Sequence, residues 1–160
     1  MDIPTVMSIL ALVISAASFG LSLYEKLREA ARVKATSHFY PPQPTGDEQP
    51  PSPPVLVIRV ANHGQRAKKL EYMRVTYANG NADLVTEMLW GSDEHGHYRI
   101  GENDVYEHTI TPENDGILRD EEGSVAVGIS FEDTLNDTYR VRDAGKAIAA
   151  YLTAAGEYPF

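Results

Sequence analysis

The amino-acid sequence predicts a mainly β protein in which an apolar N-terminal α-helix precedes an antiparallel β-sandwich. Three observations lead to this fold class. Residues 3–24 contain no Asp, Glu, Lys, Arg or His, so they form a long uncharged stretch. The rest of the chain shows short β-branched or alternating segments separated by turn sequences. No long amphipathic helical pattern lies between those segments, which argues against alternating β–α units.

Composition and charge exclude several functional classes. The 160 residues carry 14 Lys and Arg against 23 Asp and Glu, and the net charge of -9 repels the phosphate backbone of nucleic acids. The chain has no Cys, which excludes disulfides, thiolate zinc sites, iron–sulfur clusters and Cys nucleophiles. Its length fits one ordinary domain with an appendage and is too short for two catalytic domains. We predict a protein that binds no nucleic acid and needs no cofactor.

Residues 1–32 are predicted to form a hydrophobic helix that anchors the protein in a membrane. At about 1.5 Å per residue, the uncharged stretch spans roughly 33 Å, which matches the hydrocarbon core of a bilayer. Its apolar side chains lie all round the helix, whereas a helix on a membrane surface concentrates them on one side. Two alternatives stay open: a buried helix in a soluble assembly, and a cleaved signal peptide whose usual basic n-region is missing here.

Four basic residues that follow the apolar stretch predict its orientation; they are Lys26, Arg28, Arg32 and Lys34. Positive charge next to a membrane span stays on the cytoplasmic side. We therefore expect a single-pass membrane protein whose C-terminal domain, from about Tyr24 onward, faces the cytoplasm.

Small residues recur along the predicted helix at spacings of three and four; they are Ser8, Ala11, Ser15, Ser18 and Ser22. In lipid, such a stripe lets two helix backbones approach closely and form van der Waals contacts and Ser hydrogen bonds. We predict that the helix packs along this stripe on a second copy or on a partner helix. The alternative is a chance stripe, because Ala, Ser and Gly are common in membrane helices.

The predicted sandwich covers residues 33–143 and contains a Pro-rich loop at residues 41–54. Seven of these fourteen loop residues are proline, a density that no core strand or helix tolerates. The loop contains PxxP patterns, for example at residues 41–44 and 50–53, but it lacks the flanking basic residue that orients such a ligand. We interpret the loop as an extended connection.

Seven or eight short strands are predicted, from the segments at residues 33–40, 55–60, 70–78, 83–90, 98–100, 105–111, 124–132 and 138–142. Asn79-Gly80 is a strong hairpin signal. Strict alternation would place Leu70 and Met73 on opposite faces of their strand, and Val127 on the apolar face of its own. Short strands with regular turns predict an immunoglobulin-like sandwich. Residues 144–160 are predicted to add a short Ala-rich helix and a tail.

The order of these features resembles a group of small bacterial and prophage-encoded proteins of unknown function. Proteins of that group have one N-terminal helix ending in basic residues, a strand, a variable loop and an immunoglobulin-like β-sandwich. Four segments carry the resemblance: residues 57–66, 70–75, 100–104 and 131–139. The first is a strand followed by Asn-x-Gly, and in the third the group tends to read Pro-Gly-Glu. The last segment is similar to an Asp-x-x-Gly-x-x-Tyr hairpin with Asn136 at the Gly position. The resemblance implies a single-pass membrane anchor and carries no catalytic residue.

Metal-binding patterns are incomplete in this sequence. His95 and His97 would point to one side of an extended segment, but a metal site needs further donors, for which His63 and His108 are the candidates. Whether His95 and His97 bind a metal stays open. The acidic loops lack the Asp-x-Asp-x-Asp-Gly ladder of a calcium site, and we interpret them as a solubilising surface; their residues are Asp115, Asp120, Glu121, Glu122, Glu132, Asp133 and Asp137.

The sequence contains no nucleophile elbow, no P-loop and no Gly-rich dinucleotide-binding turn, so we predict that the protein is not an enzyme. Two functions remain. The first is a membrane-anchored module, of bacterial or phage origin, that presents an acidic sandwich to a protein partner. The second is a phage virion or other assembly subunit whose N-terminal helices bundle or insert into a neighbouring subunit.

Overall fold

The computed structural model describes residues 3–29, 32–44, 51–85 and 97–157. It contains helix α1 (Ile3–Glu29), helix α2 (Ala144–Glu157) and a short 3₁₀ helix, Asp115–Leu118. The strands are β1 (Val33–Tyr40), β2 (Val55–Asn62), β3 (Lys68–Tyr77), β4 (Ala82–Val85), β5 (Tyr98–Ile100), β6 (Val105–Ile110), β7 (Ala126–Asp133) and β8 (Thr138–Arg142). The prediction of a mainly β chain behind an N-terminal helix is confirmed.

The strands form one curled sheet in the order β4-β3-β7-β8-β1-β2-β6, and β5 pairs with β3. Every described pair is antiparallel except β1 with β8, which run parallel through Ala35 opposite Val141 and Thr36 opposite Arg142. The fully antiparallel arrangement predicted above is therefore wrong at this pair. No hairpin sets the relative direction of β1 and β8, because they are the first and the last strand of the sheet.

The curl of the sheet encloses the hydrophobic core. Tyr98 of β5 and Tyr106 of β6 lie on strands that are not paired, yet their ring centroids are 4.7 Å apart. Tyr106 also meets Phe131 of β7, at 6.0 Å between ring centroids. Helix α2 packs on β7, β1 and β2 and buries Ile148 and Tyr151. Strands from both ends of the sheet thus contribute to one core. The aromatic rings in it meet edge to face, which is a preferred arrangement of aromatic pairs.

Two register shifts change the side-chain rows that strict alternation predicted. In β3 the partner of Leu70 is Asp133 and the partner of Tyr72 is Glu132, so one extra β3 residue lies between these pairs. Leu70 and Met73 are consequently both buried, although alternation placed them on opposite faces. A second shift lies opposite Thr76 and Tyr77, and there Val127 is 50% exposed and does not face the core.

The strand register assigns the loops to two ends of the domain. β1 begins directly after α1, and Val33 lies opposite Asn62, so the β2–β3 loop lies beside the start of β1. Because β8 runs parallel to β1, the β7–β8 turn (134–137) lies at this same end, which we call the α1 end. The opposite end, called the far end, carries the loops after β1, β3 and β6 and the start of α2.

Local predictions agree with the structure along most of the chain. The bounds of β1, β5 and β8 are as predicted, and Gly80 turns the chain between β3 and β4 at a φ of 89°. β4 ends at Val85, and the rest of its predicted segment lies outside the described residues, as does Trp90. At the base of the Pro-rich loop, the Ser52 N–H donates to the Gln43 carbonyl over 2.8 Å, while residues 45–50 lie outside the described ranges.

Candidate functional site

Helix α1 is the most unusual feature of the described structure. Its segment Met7–Tyr24, 18 residues long, is apolar and long enough to cross a membrane, and none of it is buried against the rest of the protein. Large apolar side chains are exposed along its whole length, and Leu12 and Phe19 are each 72% exposed. Contiguous apolar surface of this kind marks contact with lipid or with another protein, because water solvates it poorly.

The five small residues of the predicted stripe lie on one continuous helix, and each is exposed. At roughly 100° per residue, Ser8, Ala11, Ser15, Ser18 and Ser22 fall within about 80° of one face. Ser8 also donates its hydroxyl to the Pro4 carbonyl over 2.9 Å, as Ser commonly does inside a helix. The structure thus places the stripe on one face, and its role in helix packing stays a prediction.

Leu substitutions at Ser15 and Ser18 test that role. They put bulky side chains where two helix backbones would meet, and we expect each to weaken association by about 1 kcal/mol. Replacing Ile14 and Leu21 by Ala should have a much smaller effect, because these residues lie off the stripe. A cross-linking titration in membranes compares the four variants with the parent chain. Equal losses on both faces, or a parent that does not self-associate, would contradict packing along the stripe.

The hairpin that resembles Asp-x-x-Gly-x-x-Tyr is built around a buried carboxylate. Asp133 is 1% exposed and accepts hydrogen bonds from the Lys68 ammonium and the Tyr139 hydroxyl, each over 2.8 Å. The backbone N–H groups of Leu135 and Asp137 also donate to it, each over 2.9 Å. Asn136 takes a φ of 63°, which Asn tolerates better than most residues, so it replaces the Gly of the motif. The carboxylate therefore joins β3 to the β7–β8 hairpin.

The contacts within this cluster shift the pKa of each of its three side chains. Burial alone would raise the pKa of Asp133, but its hydrogen bonds from Lys68 and Tyr139 bring that pKa below the ordinary value. Burial and the bond to Asp133 raise the pKa of Tyr139 to about 12. Burial would lower the pKa of Lys68, but its bonds to Asp133 and Asp137 raise it. These shifts favour a charged carboxylate beside a charged ammonium and a neutral hydroxyl, which are the forms that the ion pair and the hydrogen bonds require.

The Asn-x-Gly segment also has a structural role. Asn62 is fully buried, and its Nδ2 donates to the carbonyls of Arg66 and Gly101 over 2.8 and 3.0 Å. Its Oδ1 accepts from the Gly64 N–H over 2.9 Å. Asn62 thereby ties the β2–β3 loop to the β5–β6 loop, and it brings together two of the segments that carry the family resemblance.

The histidines and acidic side chains do not assemble into a metal site within the described ranges. His95 lies outside those ranges, His63 is exposed, and His108 lies in the inward-facing row of β6. Burial lowers the pKa of His108. The acidic residues are divided between the two ends, and several already have protein partners: Asp133 and Asp137 bind Lys68, and Glu132 binds Arg74 over 2.8 Å.

A groove of about 650 Å³ crosses the outer face of β3, β7 and β8 beside the start of α2. Charged side chains of both signs line it; they include Arg74, Glu132, Arg140, Asp143 and Lys146. At one edge of the groove the start of α2 lies close against β7, because a Cβ at Gly145 would be 2.9 Å from the Val127 carbonyl oxygen. This surface can take a polar chain segment of a partner, and it offers little enclosed apolar space for a small molecule.

Sequence reasoning missed both Asp133 and this groove. A local signal for Asp133 existed, because residues 120–124 form the same turn as residues 133–137. In each turn the Asp carboxylate accepts from the N–H groups two and four residues later, and the fourth residue, Gly123 or Asn136, has a positive φ. The groove had no such signal, since its residues come from three strands and a helix.

Comparison with known proteins identifies no family. No family model matches the chain, and no curated protein matches it. Among solved structures, the chain is similar to the X-ray structure of Northeast Structural Genomics Consortium target SoR45, with 15% sequence identity and a TM-score of 0.30. That match covers 72% of this chain and 83% of the other.

Proposed function

We propose that this chain is a non-catalytic membrane-anchored interaction module, in which α1 holds an acidic β domain at the cytoplasmic face of a bilayer. The observation that carries the proposal is the wholly exposed apolar segment Met7–Tyr24. Leaving apolar surface in water costs about 25 cal/mol per Å², and a bilayer of matching thickness removes that cost.

The strand order supports an immunoglobulin-like architecture for the domain. In such sandwiches one sheet contains strands C, F and G, extended by C′, and the other contains A, B and E. Here β4-β3-β7-β8 follows the order C′-C-F-G, and β1-β2-β6 follows the order A-B-E. The parallel pair β1–β8 joins the two sheets at one edge. β5 departs from this scheme, because it pairs with β3 and not with β6.

A protein partner fits the exposed surfaces better than a small molecule does. The groove on β3, β7 and β8 is an open surface in which charged side chains of both signs alternate with small and apolar ones, whereas small-molecule pockets are mostly apolar and enclosed. The sequence resemblance to bacterial and prophage-encoded proteins supports a bacterial or phage origin.

The second candidate function is an assembly subunit, in a phage virion or elsewhere, whose α1 helices bundle or insert into a neighbour. The same exposed helix favours it, since neighbouring protein would cover apolar surface as lipid does. The two functions differ in what covers α1, and fractionation separates them.

The test is carbonate extraction of bacterial membranes containing the full chain with a reporter fused after residue 160. We expect the chain to stay in the membrane and the reporter to be active in the cytoplasm, because four basic residues follow the span. Leu12→Lys with Val13→Lys should reduce retention strongly, since a Lys at the centre of a span costs about 3 kcal/mol. The control, Leu84→Lys, introduces one Lys at a side chain on β4 that is 53% exposed, and it should have no effect. A soluble oligomer of defined size would favour the assembly subunit, and periplasmic reporter activity would contradict the orientation.

A further inference from the structure

Strands β1 and β8 carry three cations on the outer face of their parallel seam. Ala35 and Val141 are paired across the seam and buried, so the residues before them, Lys34 and Arg140, both point outward. Arg142 lies further along β8, opposite Thr36. A groove of about 320 Å³ runs along this seam, and no carboxylate lines it.

This arrangement leaves like charges side by side on strands about 4.8 Å apart. Within the described ranges, Lys34, Arg140 and Arg142 have no ion pair, whereas Arg59 and Arg74 each face a carboxylate, at 3.3 and 2.8 Å. The chain as a whole has a net charge of -9, so acidic partners are abundant elsewhere on it. An uncompensated cluster of cations on such a domain fits an anionic partner outside the protein.

The position of the seam indicates the nature of that partner. Lys34 follows α1 by a few residues, and Arg140 follows the β7–β8 turn at the α1 end. At the tip of that turn, Leu135 is 72% exposed, and its backbone N–H is bonded to the buried Asp133 carboxylate, which fixes the tip. Cations beside a projecting apolar side chain are the combination that binds the interface of an anionic bilayer.

The far end of the domain has the opposite character. The segment between β6 and β7, residues 111–125, contains five acidic residues and one basic residue, Arg119. An anionic membrane surface repels that end and attracts the α1 end, so the charge distribution favours one orientation of the domain.

We propose that Lys34, Arg140, Arg142 and Leu135 form a second membrane contact, which docks the α1 end of the domain on anionic phospholipid headgroups. The proposal rests on the proposed function, because α1 supplies the tether. A short tether gives an effective concentration in the millimolar range, so a face too weak to recruit the free domain still docks once the helix is inserted. The contact fixes the direction in which the groove on β3, β7 and β8 faces.

The absence of Cys from the sequence allows single-site labelling of the full chain in vesicles. Leu135→Cys carries an environment-sensitive fluorophore, and the vesicles are phosphatidylcholine alone or a phosphatidylcholine–phosphatidylglycerol mixture. We expect a blue shift and quenching by a lipid-soluble quencher in the anionic vesicles. The shift should reverse at about 1 M salt, where the Debye length is about 3 Å. The control label, Glu121→Cys at the far end, should report water in both vesicles.

A third label separates failure of this proposal from failure of the proposed function. Leu12→Cys lies in the apolar segment of α1 and should report lipid in both vesicles. If it reports water, the membrane anchor itself is wrong. If it reports lipid while Leu135→Cys reports water in both vesicles, α1 is inserted and the docking proposal alone is overturned.

Charge reversal identifies the residues responsible. Lys34→Glu with Arg140→Glu should lower the ratio of docked to undocked domain by on the order of tenfold or more. The matched control compares the single changes: Arg119→Glu alters the net charge at the far end as much as Lys34→Glu does at the seam, and it should leave the ratio unchanged. Equal effects of these two single variants would overturn a specific contact at the seam, and circular dichroism checks that all the variants are folded.

Discussion

Replacing Asp133 by Ala is expected to destabilise the β domain by roughly 3–5 kcal/mol, the usual cost of removing one partner from a buried ion pair. The Lys68 side chain is only 14% exposed and would lose the better buried of its two carboxylate partners. The backbone N–H groups of Leu135 and Asp137 and the Tyr139 hydroxyl would lose their acceptor as well. Urea denaturation of Asp133→Ala and of the parent measures the loss of unfolding free energy. The two curves are compared with the same dependence of that free energy on urea concentration.

The second copy of the same turn provides a matched control. Asp120 accepts from the N–H groups of Glu122 and Ser124 as Asp133 does from Leu135 and Asp137, but its further partner is the neutral Asn79 amide. Asp120→Ala therefore removes the turn without leaving a cation unpaired, and it should cost much less. Similar losses for the two variants would show that the turn, and not the ion pair with Lys68, is what stabilises the hairpin.

The stabilisation by Asp133 should also depend on pH. Its pKa in the folded protein lies below the ordinary value of 3.8. The folded state therefore binds fewer protons than the unfolded state between the two pKa values, and stability falls there as the pH falls. The contribution of the Asp133 carboxylate to the free energy of unfolding is fully present above pH 3.8 and is lost as the pH falls through the folded pKa. The unfolding free energies of the parent and of Asp133→Ala should therefore converge in acid.

Features encoded by neighbouring residues could be predicted from the sequence. The composition of the uncharged stretch predicts α1, and the β-branched runs and the Asn79-Gly80 turn predict most of the strands. These signals act within a few residues of the chain. The bulges in β3 and β7 could not be predicted, since period-two alternation does not show where an extra residue is accommodated. The parallel seam could not be predicted either, because it joins the first and the last strand and no local turn specifies it.

The same distinction between local and long-range signals applies to the candidate sites. The apolar surface of α1 follows from its residues alone, whereas Asp133 was interpreted as a solubilising loop residue. Its ion-pair partner Lys68 is 65 residues away in sequence, and its partner in the sheet, Leu70, lies at the register shift in β3. Likewise Lys34 and Arg140 are unremarkable in sequence, and only the parallel pairing of β1 with β8 makes them neighbours.

A chain that begins at Val33 is expected to fold without α1. The buried core is formed by residues of the strands, the 3₁₀ helix and α2, and every α1 residue with a described side chain is exposed. The hydrogen bond from the His63 N–H to the Arg32 carbonyl, over 3.0 Å, would be lost, and its net worth is only about 1 kcal/mol. Without its large apolar surface the shortened chain should move completely from the membrane fraction to the soluble fraction.

The measurement is circular dichroism with thermal unfolding of the purified chain, where we expect a β-rich spectrum and one cooperative transition. A chain that begins at residue 41 is the matched control, because it also lacks β1, the strand that joins β8 to β2. Its sheet would be divided into two parts with two new unpaired edges, and it should be unfolded or aggregated. If the chain beginning at Val33 gave a helical or unfolded spectrum, the core would need α1, and the helix could not be a separate anchor. If both chains folded alike, the β1–β8 seam would be dispensable to the sheet, and the parallel pairing that brings Lys34 next to Arg140 would lose its structural basis.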